Sequence, residues 1–301
     1  MHGEFIPAAQ AAISVMDAGF VLGVTVAEQL RTFGGKLFRW DEHVARMQRS
    51  LEIVGVTLPV SREELGELAE KLVKHNHALQ KPGDDIGLTI FVTPGIYGTY
   101  GSASAGLPEG PQLGMHTYPI PFGLWAHKYD QGDALATTEI QQVPSQCWPA
   151  ELKCRSRMHY FLADQAARKA FPGSRALLLN EKGEVNESST ASLLIFRSGK
   201  GLISPPKESI LPGISVAVLE DLAAKCGIPF TYDVILPQDV ASADEVLLTS
   251  TSPCVWPVTQ FNGKPIGTGK PGMMFRMLLT AWSLMVGHDI QAQALAFAKR
   301  A

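Results

Sequence analysis

The sequence has little of several features that would each point to a particular class of protein. It holds only four cysteines in 301 residues and no C-x-x-C pair, so we expect neither a disulfide framework nor a metal site. Charged residues make up 18% and the formal net charge is −3, which argues against a nucleic-acid partner or an anionic membrane surface. No apolar run is long enough to span a bilayer, so we expect no membrane partner.

The remaining composition is that of a globular enzyme. Hydrophobic residues make up 46% of the chain, which is enough to fill a core, and the length suits two domains of ordinary size. The first residues lack a basic region followed by an apolar stretch, so we expect no secretory signal. These properties predict a cytoplasmic protein.

Hydrophobic periodicity predicts alternating strands and helices along the first part of the chain. Phe20–Trp40 is typical of a hairpin that turns at two consecutive glycines. We expect a helix capped by Asp41, and a second helix that opens at Ser61 with a capping box. Two further strands are predicted, at about Ile86–Val92 and Leu113–Ile120.

The later part of the chain continues the same mixture. We predict a hairpin of the strands Ala176–Leu179 and Ser192–Phe196, and a helix from Pro212-Gly213 to Cys226. The mixture favours an α/β (α+β) fold with two domains over one doubly wound sheet. We predict a smaller N-terminal α/β domain over 1–121, a linker over 122–133 and a larger C-terminal α/β domain over 134–301.

Four separate segments carry the residue types that chemistry uses. Each alone is weak, because a single lysine or glutamate is usually solvated and a Pro-Gly pair is first of all a turn. Their order and separation make the set specific. The segments are Glu151–Arg157, Glu187–Thr190, Ser209–Ser215 and Thr249–Ser252.

In this order the segments resemble the fold-type IV pyridoxal-phosphate (PLP) enzymes, the class-IV aminotransferases. That family includes branched-chain aminotransferases, D-amino acid aminotransferases, (R)-selective amine transaminases and 4-amino-4-deoxychorismate lyase. The resemblance implies two α/β domains with PLP in the interdomain cleft, and a homodimer. The motifs that carry it are Asp17-x-Gly19, His43-x-x-Arg46, Lys153, Glu187, Leu211–Ser215 and Ser250-Thr251.

The resemblance assigns roles to the residues that would hold PLP. Lys153 matches the lysine that binds the aldehyde of the cofactor and later moves a proton between substrate and cofactor. Glu187 matches the carboxylate that keeps the ring nitrogen protonated. The phosphate needs cations and N–H donors, as a helix N-terminus supplies. The matching residues for it are Arg46, Ile214, Ser215, Ser250 and Thr251.

The substrate pocket departs from the pattern of D-amino acid aminotransferases. Ala27 stands where those enzymes carry a tyrosine, so one wall of the pocket is small and apolar. Thr99 and Gly101 stand where they carry the arginine and the histidine that hold the substrate carboxylate. Each arginine left as a candidate is equally well explained by a surface ion pair. The other candidates for this pocket are Tyr97, Tyr100, Arg31, Arg155 and Arg157.

The resemblance predicts transfer of an amino group between an amino acid and a 2-oxo acid. The small wall favours branched-chain or similar aliphatic amino acids. Two alternatives stay open. One is a lyase of the 4-amino-4-deoxychorismate type, which uses the same lysine and releases pyruvate. The other is a non-catalytic relative that binds the cofactor or a partner.

Overall fold

The computed structural model describes residues 3–103 and 105–300 and divides into two compact units. The first comprises Met1–Ile120 and Leu152–Ser156, and the second comprises Pro121–Glu151 and Arg157–Ala301. Each unit has its own β-sheet, and helices accompany both, so the mixed α/β class predicted from the sequence is confirmed. Within the described residues, no helix is both long and apolar enough to cross a membrane.

The first unit is built on a four-stranded antiparallel sheet in the order β2-β1-β3-β4. Two long helices cover one face, and the apolar side chains of that face and of the helices form one core. The elements are α1 (Ala18–Val21), β1 (Val26–Phe33), β2 (Lys36–Leu37), α2 (Trp40–Val54), α3 (Arg62–His77), β3 (Ile86–Thr93) and β4 (Gln112–Pro119).

Strand alternation decides which side chains of β1 meet the helices. Val26, Glu28 and Leu30 share the face that turns toward α2, whereas Ala27 and Arg31 lie on the opposite face. Glu28 is therefore a charged residue inside an apolar row. This arrangement places a carboxylate under α2.

Several local predictions for the first unit need correction. Phe20 lies in the short helix α1, so the predicted hairpin begins only at Val26. Helix α2 begins at Trp40 and its N-cap is Arg39 in the left-handed conformation, so Asp41 lies in the first turn and does not cap the helix. The predicted cap of α3 is confirmed, because Oγ of Ser61 accepts the N–H of Glu64.

The second unit contains a nine-stranded mixed sheet in the order β10-β9-β8-β11-β12-β5-β6-β7, with β13 paired to β12. Helices pack against this sheet. The elements are α4 (Lys128–Gln131), β5 (Asp133–Thr137), α5 (Met158–Ala170), β6 (Arg175–Leu179), β7 (Val185–Ser188), β8 (Ser192–Arg197), β9 (Gly201–Ser204), α6 (Ile214–Lys225), β10 (Phe230–Tyr232), α7 (Pro237–Ala241), β11 (Glu245–Ser250), β12 (Cys254–Phe261), β13 (Lys264–Pro265), α8 (Met273–Val286) and α9 (Ile290–Ala298).

The hairpin predicted from Ala176–Leu179 and Ser192–Phe196 is wrong. Strand β6 pairs with β7, a short strand that lies between the two predicted ones, and β8 pairs with β9 and β11. A bridge between Ser188 and Ala191 closes the tight turn from β7 to β8. Glu187 therefore lies within a strand, one residue before this turn.

Candidate active site

Lys153 lies in an extended segment that pairs with the chain around the start of β1. The N–H of Ala27 donates to the carbonyl of Lys153 (3.2 Å), and the N–H of Arg155 donates to the carbonyl of Thr25 (2.8 Å). The N–H of Lys153 donates to Oγ of the buried Ser50 on α2 (3.1 Å). These hydrogen bonds hold the backbone of Lys153 against β1 and α2, with Ala27 as its neighbour.

A buried cluster of ionisable side chains lies beside this lysine in the first unit. Glu28 is 1% exposed and accepts two hydrogen bonds from Arg46, from Nε to Oε1 and from Nη2 to Oε2, each 2.8 Å long. Nδ1 of His43 lies 2.8 Å from Oε2. His43 and Arg46 are three residues apart on α2, so both reach the same carboxylate from one helix face.

The electrostatics of this cluster favour an ionised Glu28. Burial alone raises the pKa of the Glu28 carboxyl, but the charge and hydrogen bonds of Arg46, the hydrogen bond of His43 and the charge of Lys153 lower it well below its usual value. Burial lowers the pKa of His43, against the opposing effect of Glu28. His43 is therefore neutral at pH 7, and since an ionised carboxylate only accepts, the proton lies on Nδ1.

The cluster explains one motif that the sequence analysis singled out. In His43-x-x-Arg46 the histidine and the arginine share Glu28 as partner. The bidentate pairing fixes the plane of the Arg46 guanidinium, whose side chain is 8% exposed. Sequence reasoning left Glu28 without a role, although a glutamate in an apolar strand beside such a motif is a usable signal.

Asp17 and Gly19 form a structural joint. Asp17 is buried, accepts the N–H of Gly19 and the hydroxyl of Thr93 (2.7 Å), and bridges to Ile96. A side chain on Gly19 would put its Cβ 2.5 Å from a methyl group of Thr93. The motif therefore ties α1 to the segment that follows β3, and this segment carries Tyr97.

The predicted substrate-pocket residues of the first unit lie in different surroundings. Tyr97 is half-buried, and its ring packs edge-on against that of Tyr100, which is 38% exposed. Arg31 is fully buried, lies over the ring of Phe33 and faces the carboxylate of Asp85 at 4.0 Å. It is four residues from Ala27, or roughly 13 Å along the strand. The structure does not bring it to Ala27.

The two remaining arginines belong to different units. Arg155 is exposed and lies in the extended segment of the first unit. Arg157 is half-buried and is the residue before α5 in the second unit. Both arginines precede the helix, which begins at Met158.

In the second unit, Glu187 is the centre of a hydrogen-bonded group. Its side chain lies on β7 and is 5% exposed. Oε1 accepts a hydrogen bond from Nε2 of Gln142 (2.7 Å) and a short one from the hydroxyl of Tyr160. Hydrogen bonds to a carboxylate favour its ionised form. Neither donor was identified from the sequence, since Tyr160 is 27 residues and Gln142 is 45 residues away.

The turn after Glu187 is held in place by its neighbours. Thr190 has a φ of 64°, an uncommon conformation for a β-branched residue. Its hydroxyl accepts from Arg175 (3.1 Å), and its carbonyl accepts from the hydroxyl of Ser250 (3.1 Å). The structure thus joins the turn after Glu187 to the end of β11, where Ser250 and Thr251 lie, so these predicted residues meet in one region.

The predicted phosphate site is the N-terminus of α6. Gly213 is the N-cap residue and has no side chain that could cap the helix. Ile214 and Ser215 lie in the first turn of α6. N–H groups at these positions have no partner within a helix, and the helix dipole favours an anion there. A side chain on Gly213 would put its Cβ 3.0 Å from Oγ of Ser192. Glycine therefore avoids a close contact with Ser192 at this position.

Comparison with known proteins gives a consistent result. Residues 25–261 match the model of the family described as amino-transferase class IV. The chain is 28% identical to a D-alanine aminotransferase of Bacillus licheniformis over 93% of this chain and 94% of the relative. It is 29% identical to the D-alanine aminotransferase of Staphylococcus aureus strain MSSA476, over 92% and 94% of the two chains.

Solved structures show the same fold. A branched-chain amino acid aminotransferase of Escherichia coli superposes with a TM-score of 0.83 at 22% identity, over 95% of this chain and 92% of the other. The branched-chain aminotransferase of the thermophilic archaeon Thermoproteus uzoniensis with norvaline gives a TM-score of 0.79 at 21% identity, over 95% and 93%. The chain has the predicted fold and belongs to the class IV aminotransferase family.

Proposed function

We propose that this aminotransferase binds PLP covalently through Lys153 and transfers the amino group of an aliphatic amino acid to a 2-oxo acid. The observation that carries the proposal is the fixation of Lys153. Its backbone is held against β1 and α2, and its charge acts on the buried Glu28. A lysine whose backbone is held in this way can offer its amine to an aldehyde, as covalent attachment of the cofactor requires.

The chemistry of the donor set fits PLP. The cofactor has an aldehyde, a phosphate dianion and a pyridine nitrogen. Lys153 would hold the aldehyde, and Glu187, whose buried carboxylate accepts two neutral donors, would accept the N–H of the protonated ring. The residues proposed for the phosphate are Arg46, Ile214, Ser215, Ser250 and Thr251.

When bound, PLP supplies a ring that accepts the electron pair of the substrate Cα–H bond. The remaining chemistry belongs to the protein. Nζ of Lys153, once released from the aldehyde, would take the proton from the substrate Cα and pass it to the carbon of the cofactor. Ionised Glu187 keeps the ring nitrogen protonated. Arg46, oriented by Glu28, would bind the phosphate of the cofactor.

The proposed substrate is aliphatic because Ala27 lies next to Lys153. Ala27 is 2% exposed, and its N–H is bonded to the carbonyl of Lys153. A methyl group at this point leaves room for a branched side chain and offers it no polar partner. The sequence relatives are named D-alanine aminotransferases, yet this chain has Thr99 and Gly101 where the resemblance would place the arginine and the histidine that hold a substrate carboxylate. We therefore propose branched-chain or similar amino acids as donors.

The proposal also covers the assembly and location of the protein. We propose a cytoplasmic homodimer. Large apolar side chains remain exposed on the first unit, including Phe20 at 71% and Leu22 at 55%, and such side chains are often covered in an assembly. Light scattering after size exclusion should give twice the mass of the chain. A mass of one chain at working concentrations would refute the dimer.

Covalent labelling tests the cofactor assignment directly. The protein with PLP is reduced with borohydride, digested and mapped by mass spectrometry, with Lys153→Arg as the matched variant. We expect the phosphopyridoxyl mass on Lys153 in the wild type and no label at position 153 in the variant. Label on another lysine, or none in a folded wild-type protein, would contradict the proposal.

A further inference from the structure

Two hydrogen bonds to Glu187 converge on one atom. Both Gln142 and Tyr160 donate to Oε1. Gln142 comes from the segment after β5, and its own N–H donates to the carbonyl of Leu179 (2.9 Å). Tyr160 comes from the first turn of α5. Two donors from different elements fix the carboxylate more closely than either donor alone.

Helix α5 contacts the Glu187 region at two points. Tyr160 reaches Glu187, and Asp164, one helical turn further, accepts the hydroxyl of Ser189 through both carboxylate oxygens at 2.8 Å. Asp164 also accepts the N–H of Ala176 on β6 (2.9 Å). The helix is therefore fixed both to β6 and to the turn that follows β7, which restricts the position of the Tyr160 hydroxyl.

Tyr160 is a permanent donor in this arrangement. Burial raises its pKa well above the usual value, and the charge and hydrogen bond of Glu187 raise it further; a hydrogen bond with Gln142 and the charge of Arg157 act in the opposite direction. The phenol therefore keeps its proton throughout the working pH range. A neutral donor of this kind stabilises an anionic carboxylate without neutralising it.

We propose that Tyr160 and Gln142 are positioning residues that hold Glu187 ionised and oriented toward the ring nitrogen of the cofactor. This inference rests on the proposed function. Without the two donors the Glu187 carboxylate becomes more basic, and the proton that it shares with the ring nitrogen moves toward the carboxylate. The ring is then a weaker electron acceptor, so proton removal from the substrate slows.

The test reads the protonation of the ring nitrogen by NMR with ¹⁵N-labelled PLP. Tyr160→Phe removes the hydroxyl and keeps the ring, and Gln142→Met removes the donor at similar volume. In both variants we expect the ¹⁵N signal at neutral pH to move toward that of the unprotonated ring. We expect kcat to fall about tenfold, as for a hydrogen bond to a charged group, while KM changes less than about twofold.

The chain offers a matched control. The hydroxyl of Tyr232 donates to Oε2 of Glu220 (2.7 Å), so Tyr232→Phe removes the same kind of hydrogen bond elsewhere in the second unit. The ¹⁵N signal and kcat of this variant should equal those of the wild type. If Tyr160→Phe fails to fold, as judged by its melting temperature, Gln142→Met gives the answer alone.

The possible failures are distinguishable. An unchanged ¹⁵N signal in folded Tyr160→Phe and Gln142→Met, with PLP still attached to Lys153, would overturn the positioning role only. A wild-type protein that binds PLP but leaves the ring unprotonated would overturn the assignment of Glu187 and this inference with it. A wild-type protein that does not attach PLP would refute the proposed function.

Discussion

The two units each bury a glutamate, and they stabilise it in opposite ways. In the first unit Glu28 is bonded to the cationic Arg46 and lies near the charge of Lys153. In the second unit Oε1 of Glu187 accepts from two neutral groups, Tyr160 and Gln142. The bonds from Arg46 pair Glu28 with a positive charge, whereas the bonds from Tyr160 and Gln142 bring no charge to Glu187. Under the proposed function Glu28 orients Arg46, and Glu187 acts on the ring nitrogen of the cofactor.

The largest expected difference between Glu28 and Glu187 is their effect on catalytic activity. Glu187→Gln removes the charge that holds the ring proton, so kcat should fall by about a hundredfold or more. The amide carbonyl of the substituted side chain can still accept from Tyr160 and Gln142, so the free energy of unfolding should change by less than about 1 kcal/mol. Steady-state kinetics and urea unfolding measure both. A variant that turns over like the wild type would disprove the role of Glu187.

The matched change in the first unit should act mainly on stability. Glu28→Gln leaves the guanidinium of Arg46 buried without its counter-charge, so the free energy of unfolding should fall by about 3 kcal/mol. Urea unfolding of the apoprotein gives this value. Equal stability of Glu28→Gln and Glu187→Gln would remove the distinction between the two glutamates.

Acid should affect the first unit through the same cluster. The folded pKa of Glu28 lies below its usual value of 4.5, so its contribution to stability is complete above pH 4.5 and is lost as the pH falls toward the folded pKa. The pKa of His43 is also lowered from its usual value of 6.5. Below pH 6.5 the unfolded chain therefore takes up a proton at His43 more readily than the folded chain does, which destabilises the folded state. The difference in melting temperature between wild type and Glu28→Gln should therefore shrink from pH 7 to pH 3. A constant difference would contradict the ionised state of Glu28.

The smallest effect is expected at the turn after Glu187. Ser250→Ala removes the hydrogen bond to the carbonyl of Thr190, which should cost about 1 kcal/mol of unfolding free energy. If Ser250 also contacts the phosphate, the affinity for PLP should fall several-fold, which fluorescence titration of the apoprotein measures. A loss of stability without a loss of PLP affinity would show that Ser250 stabilises the turn through Thr190 and does not bind the phosphate.

The success of sequence-based prediction differed between the core and the site. Helix α2 was readable because Val44, Met47, Leu51 and Val54 recur at helical spacing. The first three are buried, and Val54 is partly buried against the same core. Strand β7 was missed because its residues Asn186, Glu187 and Ser188 are polar and give no apolar pattern. A buried polar strand is stabilised by its partners, and partners are invisible to a local pattern.

In the candidate active site, too, the sequence pattern did not reveal which side chains are partners. The resemblance identified Arg46 and Glu187 as single positions with family roles. It could not identify the partners that tune them, since these depend on the register of β1 under α2 and on the placement of α5. Tyr160 and Gln142 are distant in sequence from Glu187, and neither stands in a motif that was readable beforehand.

Product balance in a single turnover tests the central claim most directly. The PLP form of the protein is mixed with one branched-chain amino acid in the absence of a 2-oxo acid acceptor. Amino transfer predicts about one equivalent of the matching 2-oxo acid per protomer, loss of the yellow absorption band, and return of the band when a 2-oxo acid is added. Continuous release of pyruvate from a suitable donor without any acceptor would identify a lyase, and no product from any amino acid would contradict the proposed function.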